Sequence, residues 1–197
     1  MIKLRTALKY IFLIIVSLIS VFPLYWMAVS ATHTSIEVIR GALLPGNYLF
    51  KNFANLLAAS DVSGAMANSF KYSIVMTVLA LFICSLAGYG FEIYHDRAKD
   101  AIMSVLLLAM MVPFVAIMIP LFQAFSKWGL LNTTLGFLLP TISTPFLIML
   151  FRQSARSFPH DILEAARLDG LNEFHIFLRI FIPTMKSTYA SAAIITF

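Results

Sequence analysis

Residues 72–91 read YSIVMTVLALFICSLAGYGF, twenty residues without an Asp, Glu, Lys or Arg. A helix rises about 1.5 Å per residue, so a run of this length matches a hydrocarbon core of about 30 Å. Working outward, residues 10–32, 101–126 and 128–151 are also free of those four residue types, over 23, 26 and 24 residues. A charge at the centre of a spanning helix costs about 2.5–3.5 kcal/mol on insertion scales. Four such runs in a chain of 197 residues point to an all-α, polytopic membrane bundle. The predicted helices are about 10–32, 72–91, 101–126 and 134–151, with the start of another at 187–197. They belong to one transmembrane domain over 1–197 that carries a charged loop over 152–186.

Composition supports this. Hydrophobic residues make up 60% and charged residues 12% of the chain, against about 45–50% and about 25% in soluble domains. These values exclude intrinsic disorder. A lone cysteine, Cys84, excludes a disulfide scaffold. Lys3, Arg5 and Lys9 before an apolar run resemble the start of a signal peptide. The run is longer than such a peptide needs, and the first helix is expected to be retained.

The charged segments sort by alternating side. Segments 1–9, 92–100 and 152–186 hold 10 basic residues, and segments 33–71 and 127 hold 4. The positive-inside rule then puts the N-terminus in the cytoplasm of a cell whose plasma or inner membrane the chain crosses. The net charge of +5 is thereby a mark of topology, and no nucleic acid is expected as partner. Outside, 33–70 reads as a loop with aromatics at the headgroup level and a short surface helix over Asn55 to Ala67.

Pro113 and Pro140 lie near the middle of the third and fourth runs. A proline frees a backbone carbonyl, which either bends the helix against its neighbours or breaks it where irregular backbone lines a cavity. Gln123, Thr141, Ser143 and Thr144 lie at or near these breaks and are candidates for a polar translocation path. Gly88 and Gly90 suit close packing or a helix end. No His pair has metal-ligand spacing, and no Gly-rich phosphate loop is present. Neither catalytic nor metal-binding residues are expected, and no cofactor. The chain thus shows no means of using a nucleotide, and the energy for any active transport is expected to come from another chain.

Segment 152–186 carries both signs of charge. Pro159 suits a helix start and Asp161 and Glu164 suit its first turns. Ile162, Leu163 and Ala166 form an apolar stripe, and Ala165 and Ala166 leave room for a close neighbour. Asp169-Gly170 ends the helix, with Gly170 free to adopt the left-handed cap. A second helix, capped by Asn172, runs through Phe174 to Phe181 and is arrested by Pro183. Such a helix–turn–helix is either a passive interfacial hairpin or a tethered knob that transmits motion to a soluble partner.

The spacing Glu164-Ala165-Ala166, three residues, Gly170, nine residues, Ile180, one residue, Ile182-Pro183 resembles the EAA loop of ABC importer membrane subunits. Ile182 stands where that motif has leucine. Pro120-Leu121-Phe122, Gly129-Leu130-Leu131-Asn132-Thr133, Gly136, Pro140, Pro145-Phe146, Arg152-Gln153 and Ala165 to Gly170 are similar to the maltose-type sugar importer permeases. The resemblance implies the type I importer permease fold, with about five of its six helices present. It implies a second permease subunit, two cytoplasmic ATPase subunits and an extracytoplasmic sugar-binding protein as partners, in a lipid membrane. It implies a sugar as solute, a di- or oligosaccharide. Glu164 would be the polar contact to the ATPase, Ala165 and Ala166 would permit docking, Gly170 the turn and Pro183 the return to the membrane. Asp169 and Ile180 complete that coupling set. The resemblance also leads one to expect a C-terminally truncated product or fragment, since the fifth helix stops at Phe197. The alternatives are a permease of the same superfamily for another solute, such as glycerol phosphate, and a non-transport membrane protein.

Overall fold

The computed structural model describes residues 2–197, with side chains from Arg5 onward. Lys3, part of the basic N-terminal flank, lies outside the described side chains. The structure divides into two compact units at Ala67 and Asn68. In the first unit lies α1, Ile2–Ser30, whose described side chains stay largely exposed until Val29 near its end.

The first unit is organised by polar contacts of the segment after α1. The Thr34 hydroxyl accepts from the Glu37 amide at 3.4 Å, and the Glu37 carboxylate accepts from the Thr34 amide at 2.9 Å. This reciprocal cap starts α2, Ser35–Ile39. The Asn52 amide donates to the carbonyls of Ala31 and His33 at 2.9 and 2.8 Å. A helix over 55–67 is expected here. Instead α3 covers Leu49–Ala59, Ser60 is extended, and α4 opens at Val62. The Asp61 carboxylate takes the Gly64 amide at 2.9 Å, so helix-start chemistry at Asp61 divides the stretch.

The second unit contains most of α4, Val62–Ile93. Next come α5, Arg97–Ala109, started by the Asp96 carboxylate on the Lys99 amide, and α6, Phe114–Lys127. The expected single helix over 101–126 is thus two helices, bent by 99°. Pro113 lies at φ −64° and ψ 135°, lacks an amide hydrogen, and disfavours helix in the residue before it. Pro120 stays inside α6. The expected helix over 134–151 is likewise divided into α7, Thr134–Leu138, and α8, Pro145–Ala155. Pro145 begins α8, where its missing donor has no helical partner to lose.

Among the described residues, Arg5–Ser30 and Val62–Ile93 are long and apolar enough to cross a membrane, and α5 with α6 makes a third span if the bent pair is counted as one. The rest of the chain forms α9, His160–Leu168, and α10, Glu173–Ile176. A π-helical stretch, Phe177–Phe181, leads into α11, Ile182–Thr184, and α12, Lys186–Thr196. Pro183 does not arrest this helix. The amide of Ile182 reaches back five residues to the Phe177 carbonyl. That wider turn accommodates the proline ring and the donor it lacks.

One apolar cluster joins α4, α5, α8 and α12 through Ala80, Cys84, Met103, Leu147, Ile148, Phe151 and Ala192. Within it α4 and α8 approach backbone to backbone at Gly88, where a Cβ would lie 2.7 Å from the Arg152 amide nitrogen. A second cluster joins the end of α4 to the loop that follows α8.

Candidate functional site

The second cluster is built on Tyr89. Its ring lies 4.9 Å from that of Phe181 and 5.5 Å from that of Phe177, and Phe158 lies 5.6 Å from Phe181. Leu163 and Ala166 of α9 and Ile176 of α10 are buried against them. Edge-on and tilted ring contacts at these separations are favourable beyond their area. Segment 156–185 is therefore folded onto α4 rather than lying loose.

Of the expected apolar stripe, Leu163 and Ala166 face inward, while Ile162 is left on the outer face. The end of α9 is a full Schellman arrangement. The Gly170 amide bonds the Arg167 carbonyl at 3.0 Å and the Leu171 amide bonds the Ala166 carbonyl at 3.1 Å. Gly170 has φ +81° with open space around it, so its backbone conformation and not crowding calls for glycine. The Asn172 side chain then accepts from the His175 amide at 2.9 Å and starts α10.

Glu173 ties the two halves of the loop to the membrane helix. It accepts from Arg167 Nε at 2.6 Å and from the Tyr89 hydroxyl at 3.3 Å. The Arg167 guanidinium holds the Glu173 carboxyl below the usual glutamate range, against the opposing effect of burial.

The outer face of α9 carries Asp161, Ile162, Glu164, Ala165 and Asp169, and Leu168 is 88% exposed at its end. A shallow groove of about 380 Å³ runs between Asp161, Ile162, Ala165, Ala166, Asp169, Leu171 and Ile180. Of the coupling residues expected from sequence, it brings together Ala165, Ala166, Asp169 and Ile180. Glu164 stands exposed outside the groove, Gly170 forms the turn, and Pro183 lies in α11. Of the expected path residues, Thr141 and Thr144 line a cleft of about 300 Å³ with Met76, Leu147 and Thr196. Gln123 on α6 and Ser143 are exposed and do not line it.

A further polar group escapes sequence reading. Arg152, 7% exposed, donates from Nε to Glu92 at 3.0 Å and from Nη2 to Asp100 at 2.6 Å. Arg156 reaches Glu92 at 3.2 Å, and His95 Nε2 lies 2.8 Å from Asp100. One signal was available. Arg152 follows directly on a 24-residue uncharged run, where a charge at the membrane edge needs partners.

Residues 86–197 match the family described as binding-protein-dependent transport system inner membrane component. The chain is 42% identical over 195 residues to the lactose transport system permease protein of Rhizobium radiobacter, covering 99% of this chain and 71% of that one. It is 33% identical to the arabinooligosaccharides transport system permease protein of Bacillus subtilis, over 97% of this chain and 69% of that one. Its fold resembles a chain in the crystal structure of a bacterial ABC transporter involved in the import of the acidic polysaccharide alginate. The TM-score is 0.84 at 23% identity, over 98% of this chain and 69% of that one.

Proposed function

The chain belongs to the binding-protein-dependent transport system inner membrane components, and from that membership we propose that it forms half of the translocation path of an ATP-driven sugar importer. The solute is a di- or oligosaccharide. The identity to permeases named for lactose and arabinooligosaccharide transport supports this. The uncharged spanning runs, which offer no basic groups to an anionic solute, support a neutral one. The partners are a second permease subunit, two cytoplasmic ATPases and an extracytoplasmic sugar-binding protein. ATP is hydrolysed by those partners, and this chain is not an enzyme.

The observation that carries the reading is the two-faced α9. Its inner face is fixed to α4 through Tyr89, Glu173 and the phenylalanine cluster, while its outer face offers three carboxylates, Ala165 and Leu168. A surface of that kind suits a cleft with basic walls and an apolar floor. When ATP binding closes the ATPases, α9 is pulled with them, and the contacts of its inner face carry that motion to α4. On this reading the segments around Glu92–Asp100 and Arg152–Arg156 are cytoplasmic together, as their shared ion pairs favour. The N-terminus is on the same side by its basic residues.

The test replaces Gly170 with valine and Glu164 with lysine in the complete transporter. A β-branched residue at φ +81° is strained, since the left-handed conformation costs an L-residue about 1–2 kcal/mol. Both variants should reach the membrane and retain ATP hydrolysis, while sugar uptake falls. Normal coupled uptake in both would defeat the assignment of the loop.

A further inference from the structure

We propose that Arg152 is a positioning residue that fastens the cytoplasmic ends of α4, α5 and α8 into one block, so that a displacement of α9 moves the helices instead of bending the chain between them. The inference rests on the transport reading above.

The geometry has three parts. Arg152 bonds a carboxylate on α4, Glu92, at 3.0 Å and a carboxylate on α5, Asp100, at 2.6 Å. It does so from the last turn of α8, the helix that precedes α9 in the chain. Beside it, α4 and α8 touch at Gly88 with no room for a Cβ. The guanidinium is a rigid fork, and its two arms point to two different helices. One residue thereby fixes the mutual orientation of three helix ends immediately before the element that meets the soluble partner.

Stability alone does not explain a charge at this place. A buried ion pair is often matched or bettered by apolar residues of similar volume, because desolvation offsets the attraction. Methionine offers an unbranched apolar side chain in place of the charge. What methionine lacks is direction, since an apolar contact lets α5 rotate or slide on α8 at little cost. Arg156 and His95 extend the hub at its edges, on Glu92 and Asp100 respectively. The described charges of Arg152, Arg156, Glu92 and Asp100 balance.

The experiment removes the three charges as a set, so that none is left buried without a partner. The triple variant Glu92→Gln, Asp100→Asn, Arg152→Met is assembled in the complete transporter in vesicles. ATP hydrolysed per sugar transported is measured for each assembled complex. The expected result is near-normal assembly with that ratio raised roughly tenfold, the usual size of a lost coupling between sites. An unchanged ratio overturns the inference. So does a lower yield of complexes that still transport at the normal ratio, which is what a merely structural role gives. If the triple variant does not assemble, Asp100→Ala decides alone. Asp100 is half exposed, and its loss cuts one arm of the fork. A raised ratio supports the hub and a normal one refutes it. Unaltered chains that show no ATP-driven sugar uptake would instead refute the transport reading.

Discussion

Gly88 and Gly90 stand two residues apart on α4 and differ in what surrounds them. A Cβ on Gly88 would lie 2.7 Å from the Arg152 nitrogen, 2.7 Å from the Phe151 Cβ and 2.9 Å from the Ile148 carbonyl oxygen. Ordinary contact begins at 3.4 Å, so the shortfall is about 0.7 Å. These neighbours are backbone atoms or a Cβ and cannot turn aside. Nothing lies within 4 Å of a Cβ on Gly90. Alanine at either site gains the same helix propensity, about 1 kcal/mol. Only Gly88→Ala must also push α4 from α8, and overpacking of this kind costs about 1–3 kcal/mol. The propensity gain cancels when the two variants are compared. Gly88→Ala should therefore be the less stable by about 1–3 kcal/mol and should melt at the lower temperature. The assay is the thermal midpoint of the assembled complex in detergent, read by loss of its size-exclusion peak. Equal midpoints, or a higher one for Gly88→Ala, would show that the helices do not meet at Gly88.

Acid should loosen the loop from α4. The Glu173 carboxyl is lowered by Arg167 relative to its unfolded value, so its stabilisation is present above the ordinary glutamate pKa of about 4.3 and is lost as pH falls through the lower folded value. Amide exchange over 160–181, corrected for the intrinsic rate, should rise between pH 5 and pH 3, values that bracket that pKa. Glu173→Gln should show no such step, and a step of equal size in that variant would remove Glu173 as the cause. Single cysteines in place of Lys127 and Asp169 should react with an impermeant thiol reagent from opposite faces of the membrane. Native Cys84 is buried and should stay silent. Labelling of both from one face would overturn the proposed topology.

The membrane bundle was legible because the cost of a charge in hydrocarbon acts on each residue separately. Uncharged runs therefore show in the sequence whatever their neighbours do. The turn at Gly170 was legible for a similar reason: helix stop, glycine and the Asn172 cap are local signals. Where helices break was less so. Pro113 divides its run by 99°, yet Pro120, seven residues on, is carried inside α6. A proline states that a donor is missing but not whether surrounding helices absorb the loss. The difference between Gly88 and Gly90 is likewise invisible in sequence, since it depends on which face of α4 meets α8. The Arg152 hub joins residues 60 and 52 positions apart, and no periodicity encodes such a pairing. On α9 the stripe of Ile162, Leu163 and Ala166 was readable, but its exact facing was not. Two of the three residues pack inward, and the third adds to the outer face.

The placing of charges within the hub follows helix electrostatics, with one exception. Arg152 lies in the last turn of α8 and Asp100 in the first turn of α5, where the helix dipoles favour a cation and an anion respectively. Glu92 lies at the end of α4, next to its last residue, where the dipole opposes a negative charge. It is held there by two arginines, Arg152 and Arg156. Asp100 has its own helix end to stabilise it, and Glu92 does not. Neutralising Arg152 should therefore unsettle Glu92 more than Asp100, and the end of α4 should be the first of the three to come free. That is also the helix whose Tyr89 receives α9. The residue least supported by its own helix is thus the one that links the fastening of the bundle to the docking of the loop.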